Sequence, residues 1–276
     1  MGRHISVPAM QIHAMSTGAV QLRHAFLYAR PGVRRQLGLF TGGPWVDQWF
    51  PIHCWVIEHD SRRILVDTGE LATANDVPFA RFKLTADEEL PGALAGVGLS
   101  VDDIDTVVLT HMHGDHMDGA VHVKRPVMVH EPDMAFTKTA MARFMQRVLK
   151  QPVPEGVDWQ TYTLDDGPFG AFTASRKLTD DGRVMIVATP GHTVGHVSVI
   201  CVDDEGRHVM LAGDTTDSLE QLHARRPDAV SPKASVTVAT IDRILAHARE
   251  HPTVYLPAHD ADSVSRLQSS ETLQPR

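Results

Sequence analysis

Apolar residues fall into short runs along this chain, each stopped by a polar turn. Residues 52–58 and 63–66 read as two strands around the turn His59-Asp60-Ser61-Arg62, and the second ends at Asp67-Thr68-Gly69. Residues 86–98 read as a helix that stops near Gly96 or Gly98, and Ser100 with Asp102 and Asp103 reads as a cap opening a further helical turn. Residues 106–109 and 126–129 are short buried strands. A helix is expected over 131–150, where Met134, Met141, Phe144, Met145 and Val148 recur at helical spacing as core or pocket wall. Strands follow at 184–188, 196–201 and 208–211. Pro232 opens a helix whose buried face is Ile241, Ile244, Leu245 and Ala248, and 253–256 is the last strand. The order is β-rich, helix, strand, helix, then β-rich, helix, strand. It predicts an α/β fold with two sheets sandwiched between outer helices.

No repeat or low-complexity tract divides the 276 residues, so one domain over 1–276 is expected, with 1–50 an irregular N-terminal segment. A hydrophobic share of 42% and a charged share of 22% are those of a soluble globular chain. The net charge of -8 argues against nucleic-acid and anionic-membrane partners and favours a small or neutral substrate. Cys54 and Cys201 sit in apolar runs, outside any metal-ligand spacing, and read as core residues. The opening MGRHISVPAM lacks the apolar stretch of a secretory leader, and its Met-Gly-x-x-x-Ser match to an acylation pattern is read as chance. A cytoplasmic location is the expectation.

Candidate chemistry changes this picture at one place. Thr110-His111-Met112-His113-Gly114-Asp115-His116 packs three imidazoles and a carboxylate onto the end of an apolar strand. Groups so costly to bury need something to pair them, and neutral imidazole suits zinc and similar divalent ions. His111 and His113 alternate onto one side of extended backbone, while Asp115 and His116 lie past a glycine and can face a second ion. Three more strands end on metal-capable residues: His192 and His196 in TPGHTVGH, Asp214 in AGD, and His259 in PAHD.

The set HxHxDH, TPGHTxGH, GD and AHD resembles the metallo-β-lactamase superfamily, over residues 64–260. The resemblance implies a four-layer αβ/βα sandwich. It implies His111, His113 and His192 on one metal, Asp115, His116 and His259 on the other, and Asp214 between them. Asp67 is then a support for the cage or a plain turn residue, and His196 a packing or supporting group. Asp214 has a competing reading as a helix cap. Zinc is the expected metal, with iron, cobalt and manganese as alternatives.

Two such ions sharing a water lower its pKa toward neutrality and provide a hydroxide nucleophile, with Asp115 or Asp214 as proton relay. The order and spacing of motifs resemble the N-acyl homoserine lactonases, which implies lactone opening, quorum quenching and a homodimer. One departure stands out: where those enzymes usually carry a Tyr three residues past the bridging Asp, this chain has Asp217. The aromatics Phe40, Trp45, Trp49 and Phe50 are candidates for an acyl-pocket wall or a dimer contact. Hydrolysis of another lactone, ester or thioester is the alternative, followed by a β-lactamase or a non-catalytic metal-binding module.

Overall fold

Strands that are apolar on both faces need cover on both sides, and the alternation of their side chains shows what supplies it. The structure, a computed structural model, describes residues 10–28, 37–40 and 43–275. The sequence readings of the first nine residues lie outside the described residues.

The first sheet runs β4-β1-β2-β3-β5-β6-β7. Its strands are β1 (Gln11–Leu22), β2 (Phe50–His59), β3 (Arg62–Val66), β4 (Ala80–Lys83), β5 (Thr106–Val108), β6 (Val127–His130) and β7 (Trp159–Tyr162). The second runs β12-β11-β10-β9-β8. It comprises β8 (Ser175–Lys177), β9 (Val184–Ala188), β10 (Val197–Val202), β11 (His208–Gly213) and β12 (Thr253–Pro257).

Trp55, Ile57, Ile64, Val66 and Val108 of the first sheet meet Ile186, Val199, Leu211, Val254 and Leu256 of the second in the central core. Their sequence neighbours turn the other way. Cys54, Val56, Leu65 and Val107 pack on Leu90 and Leu94 of the helix Leu90–Gly96. Val187, Ile200, Met210 and Tyr255 pack on Ile241, Ile244 and Leu245 of the helix Ala234–Glu250. Helix, sheet, sheet and helix thus form the four layers expected of the αβ/βα sandwich. Both cysteines are buried free thiols.

Three expectations need correction. The segment 1–50 is not irregular throughout: β1 occupies Gln11–Leu22 and pairs with β2 and β4. A register shift between Ser16 and Ala19 lets it run past polar residues that break a simple alternation. The helix over 86–98 is a 3-10 turn at Ala86–Glu88 followed by Leu90–Gly96, because Thr85 and Glu88 close a capping box and Pro91 starts a new helix. The helix over 131–150 breaks into Glu131–Thr137 and Ala140–Leu149, where Thr139 caps the second piece by accepting from the Ala142 N–H. The break turns Met141, Phe144 and Val148 outward, so only Met134 of that stripe is core. Ser100 does form the expected capping box with Asp103.

Parallel pairing of β3 with β5, and of β11 with β12, aligns the ends of these strands along one rim of the sandwich. β9 has the same direction as β11, because both run antiparallel to β10. The loops leaving these strands carry the candidate chemistry. The Val197 N–H donates to the Thr110 carbonyl at 2.9 Å and ties the two sheets together at that rim.

Candidate metal centre

Every strand-end residue singled out by its spacing reaches this rim. His111 Nε2 stands 3.0 Å from His113 Nδ1, and His192 Nε2 stands 2.8 Å from the same atom. His259 Nε2 lies 3.3 Å from Asp115 Oδ2. Asp214 lies between the two groups. Its Oδ1 is 3.2 Å from His116 Nε2, and its Oδ2 is 3.4 Å from both His192 Nε2 and His259 Nε2. Three sets have donor atoms close enough to share an ion: His111, His113 and His192; His111, His116 and Asp214; Asp115, His116 and His259.

The far side of four rings is held by an acceptor. His116 Nδ1 meets Asp67 Oδ2 at 2.8 Å, and His192 Nδ1 meets Asp228 Oδ2 at 2.7 Å. His259 Nδ1 meets the Pro51 carbonyl at 2.9 Å, and His111 Nδ1 meets Thr110 Oγ1 at 3.1 Å. An Nδ1 hydrogen committed outward leaves the Nε2 lone pair facing the centre, as a metal ligand requires. Thr110 also donates its N–H and hydroxyl to Asp67, which sits at a left-handed φ of 62°. Asp67 is therefore both the turn residue and the support.

Buried carboxylates dominate the electrostatics. Burial would strip the His116 proton, yet Asp214 and Asp67 outweigh it and lift the ring well above its usual value. Against the same penalty, Asp228 and Asp214 lift His192 to about 9. Burial and neighbouring imidazoles hold His113 down at about 4. Burial would raise Asp214, but His259, His116 and His192 bring it well below the carboxylate range. Asp67, Asp115, Asp214 and Asp228 thus demand positive charge at one place. His116 Nε2 and Asp214 Oδ1 are buried without a hydrogen-bond partner, although they face each other. Orphaned donor atoms of this kind fit divalent cations, and imidazole with carboxylate is a zinc-type donor set.

The remaining expectations sort as follows. His196 is no ligand: its Nε2 accepts from the Asp214 N–H at 3.0 Å, and its Nδ1 pairs with Thr189 Oγ1 at 2.9 Å. Asp214 caps no helix, since the next one begins at Leu219 with Ser218 as its cap. Trp45 is clasped by Arg23 and Arg81, while Phe40 and Trp49 are exposed. Asp217 is buried with Oδ2 unpartnered, and burial beside Asp214 and Asp228 pushes its carboxyl up to about 7. Sequence reasoning missed Asp228 and the Pro51 carbonyl. Asp228 precedes Ser231 as an Asx turn would, but nothing in that pattern points to His192.

Residues 47–259 match the family described as the Metallo-beta-lactamase superfamily. An N-acyl homoserine lactonase of a Bacillus species is 23% identical over 223 residues, spanning 77% of this chain and 82% of that one. The solved N-acyl homoserine lactone hydrolase with the product N-hexanoyl-L-homoserine at its catalytic metal centre superposes with a TM-score of 0.72 at 18% identity, covering 97% of this chain and 98% of its own. AidC, a dizinc quorum-quenching lactonase, superposes with a TM-score of 0.65 at 16% identity, covering 93% of this chain and 90% of its own.

Proposed function

The chain belongs to the metallo-beta-lactamase superfamily, and from that premise we propose that it is a two-metal lactonase that opens the ring of N-acyl homoserine lactones and so quenches acyl-homoserine signals. His111, His113 and His192 hold one divalent ion; Asp115, His116 and His259 hold the other. The reading rests above all on Asp214, whose two oxygens reach toward both groups. Zinc is the proposed metal, on the chemistry of the donors. A single chain domain, a homodimer and a cytoplasmic location complete the reading.

Two divalent ions supply Lewis acidity toward a carbonyl oxygen and a water of lowered pKa. The protein's own residues do the rest. Asp214 fixes the spacing of the two groups. Asp67, Asp228 and the Pro51 carbonyl lock the rings, so little reorganisation is needed during reaction. Asp115 is the more exposed of the two central carboxylates, with 15% of its side chain accessible against 7% for Asp214. It is therefore the better placed to carry a proton to the departing ring oxygen.

Asp217 favours a second reading, hydrolysis of a different lactone or ester. A buried carboxyl without a partner stands where the resemblance leads one to expect a phenol. The test is incubation of the metal-loaded protein with acyl-homoserine lactones, an aryl ester and a cephalosporin. Rapid lactone opening without β-lactam turnover supports the proposal. Turnover of the aryl ester alone selects the second reading, and turnover of the cephalosporin alone overturns both.

A further inference from the structure

A surface helix normally turns its apolar side inward, because packing of that side supplies most of its stability. The helix Ala140–Leu149 does the reverse. Of its side chains only Ala142 is buried, and Leu149 is partly covered by the cluster around Leu22 and Phe26. Met141, Phe144 and Val148 are 66%, 60% and 55% exposed, the three highest values for large apolar side chains among the described residues. Spaced three and four residues apart, they line up as one stripe on the outer surface. Singly exposed apolar residues need no explanation, but an aligned group marks a surface that something covers.

Charge indicates what covers it. The stretch 138–150 carries Lys138, Arg143, Arg147 and Lys150 and no acid. All four cations are exposed, and none makes an ion pair among the described residues. Arg143 and Arg147 run beside the apolar stripe, one turn apart. The -8 of the whole chain points away from an anionic partner, yet this helix reverses the sign locally. A second copy of the chain is a poor match, because a two-fold contact through this face would set cations against cations. An apolar stripe flanked by Arg and Lys is the pattern of helices that lie in a lipid interface.

We propose that the helix Ala140–Leu149 docks the protein on anionic lipid surfaces. Met141, Phe144 and Val148 enter the acyl boundary, and Arg143, Arg147 and the flanking lysines meet the headgroup phosphates. Loops of the metal centre frame this helix. Before it, Asp133 accepts from the Thr193 hydroxyl at 2.7 Å and from the Gly195 N–H at 2.6 Å, and so holds the loop after His192. After it, Gln151 Nε2 would stand 3.5 Å from a Cβ at Gly114, in the link between His113 and Asp115. Docking therefore brings the rim of the centre close to the lipid. On the lactonase reading, that is where long-tailed lactones partition; the docking itself does not rest on that reading.

The test is co-sedimentation of the metal-loaded protein with vesicles of phosphatidylcholine, alone or with about one third phosphatidylglycerol. Binding to the anionic vesicles is expected to exceed binding to neutral ones roughly tenfold or more, and to fall as salt is raised. Two double variants at exposed positions separate the contributions: Met141→Ser with Phe144→Ser, and Arg143→Gln with Arg147→Gln. Each is expected to lower the partition coefficient about tenfold or more. Failure to bind anionic vesicles, equal binding to neutral ones, or binding that survives either double variant would overturn the proposal. Two further outcomes would overturn it as well. A wild-type dimer that Met141→Ser with Phe144→Ser splits would assign the face to a second copy. Retention on polyglutamate without vesicle binding would assign it to an acidic protein. No outcome depends on turnover, so failure of the lactonase reading leaves the test standing.

Discussion

Asp228 holds the Nδ1 of His192 at 2.7 Å with one carboxylate oxygen, while its other oxygen accepts from the Ser231 N–H at 2.7 Å and from the Ser231 hydroxyl at 3.0 Å. An aspartate far from the metal-binding motifs therefore aims a ring placed by a different loop. Asp228→Asn keeps the shape but removes the charge that orients His192. Affinity for the metal is expected to fall about 10- to 100-fold, measured by competition with a chromogenic chelator. Unchanged affinity would show that His192 needs no such partner.

Removal of a residue proposed to hold a metal, or of the one between the two groups, should cost more than removal of a supporting residue. His111→Ala and Asp214→Asn are each expected to abolish lactone opening and to lower the bound metal below two ions per chain in elemental analysis. Full activity in either variant would strip that residue of its role. Treatment of the wild type with a strong chelator should lower its melting temperature, because the gathered carboxylates and lone pairs then lose their counter-charge.

Gly213 precedes Asp214 at a left-handed φ of 55°. A Cβ there would lie 2.7 Å from His196 Nε2 and 2.9 Å from the Cβ of Thr110. Gly213→Ala is expected to cost about 2–3 kcal/mol in chemical denaturation, combining backbone strain with a clash against buried groups. A loss of a few tenths would mean that the rim relaxes more readily than its packing suggests.

A second histidine cluster, away from the metal centre, ties stability to pH. His208 Nδ1 and His247 Nε2 lie 2.8 Å apart, and the His251 ring stacks on His208. Burial, reinforced by neighbouring imidazoles, pushes His208 down to about 4 and His247 to about 3. Both are neutral in the fold, whereas in the unfolded chain they titrate near ~6.5. Below that value the unfolded chain binds protons that the fold refuses. The contribution is full above ~6.5 and declines as pH drops toward 4 and then 3. Melting temperatures recorded across this window should fall with pH, and the slope should be shallower in His247→Asn. An identical slope would place the titration elsewhere.

The sequence showed the site more clearly than it showed the fold. Seven candidate donor residues could be read because each stands where an apolar strand stops, and clustered His and Asp at such places are costly to bury unless something pairs them. Supporting contacts were harder. His192 and Asp228 are 36 residues apart, and the partner of His259 is a backbone carbonyl that any residue at position 51 would offer. β1 was missed because Ser16, Thr17 and Gly18 interrupt its alternation at the register shift. The strands β7 and β8 are short and carry polar residues at exposed positions, so they leave little periodic signal. The split at Thr139 was written in the sequence as a capping residue, but the helical run of methionines across it masked the signal.

The hydrogen bond from Val197 to the Thr110 carbonyl joins two halves that each bring only part of the donor set. His111, His113, Asp115 and His116 ride on the first half; His192, Asp214 and His259 ride on the second. Cations held among them would act as a clasp across a seam, since each half brings only part of the donor set. Slow release of metal from the intact protein would therefore report how rarely the halves part.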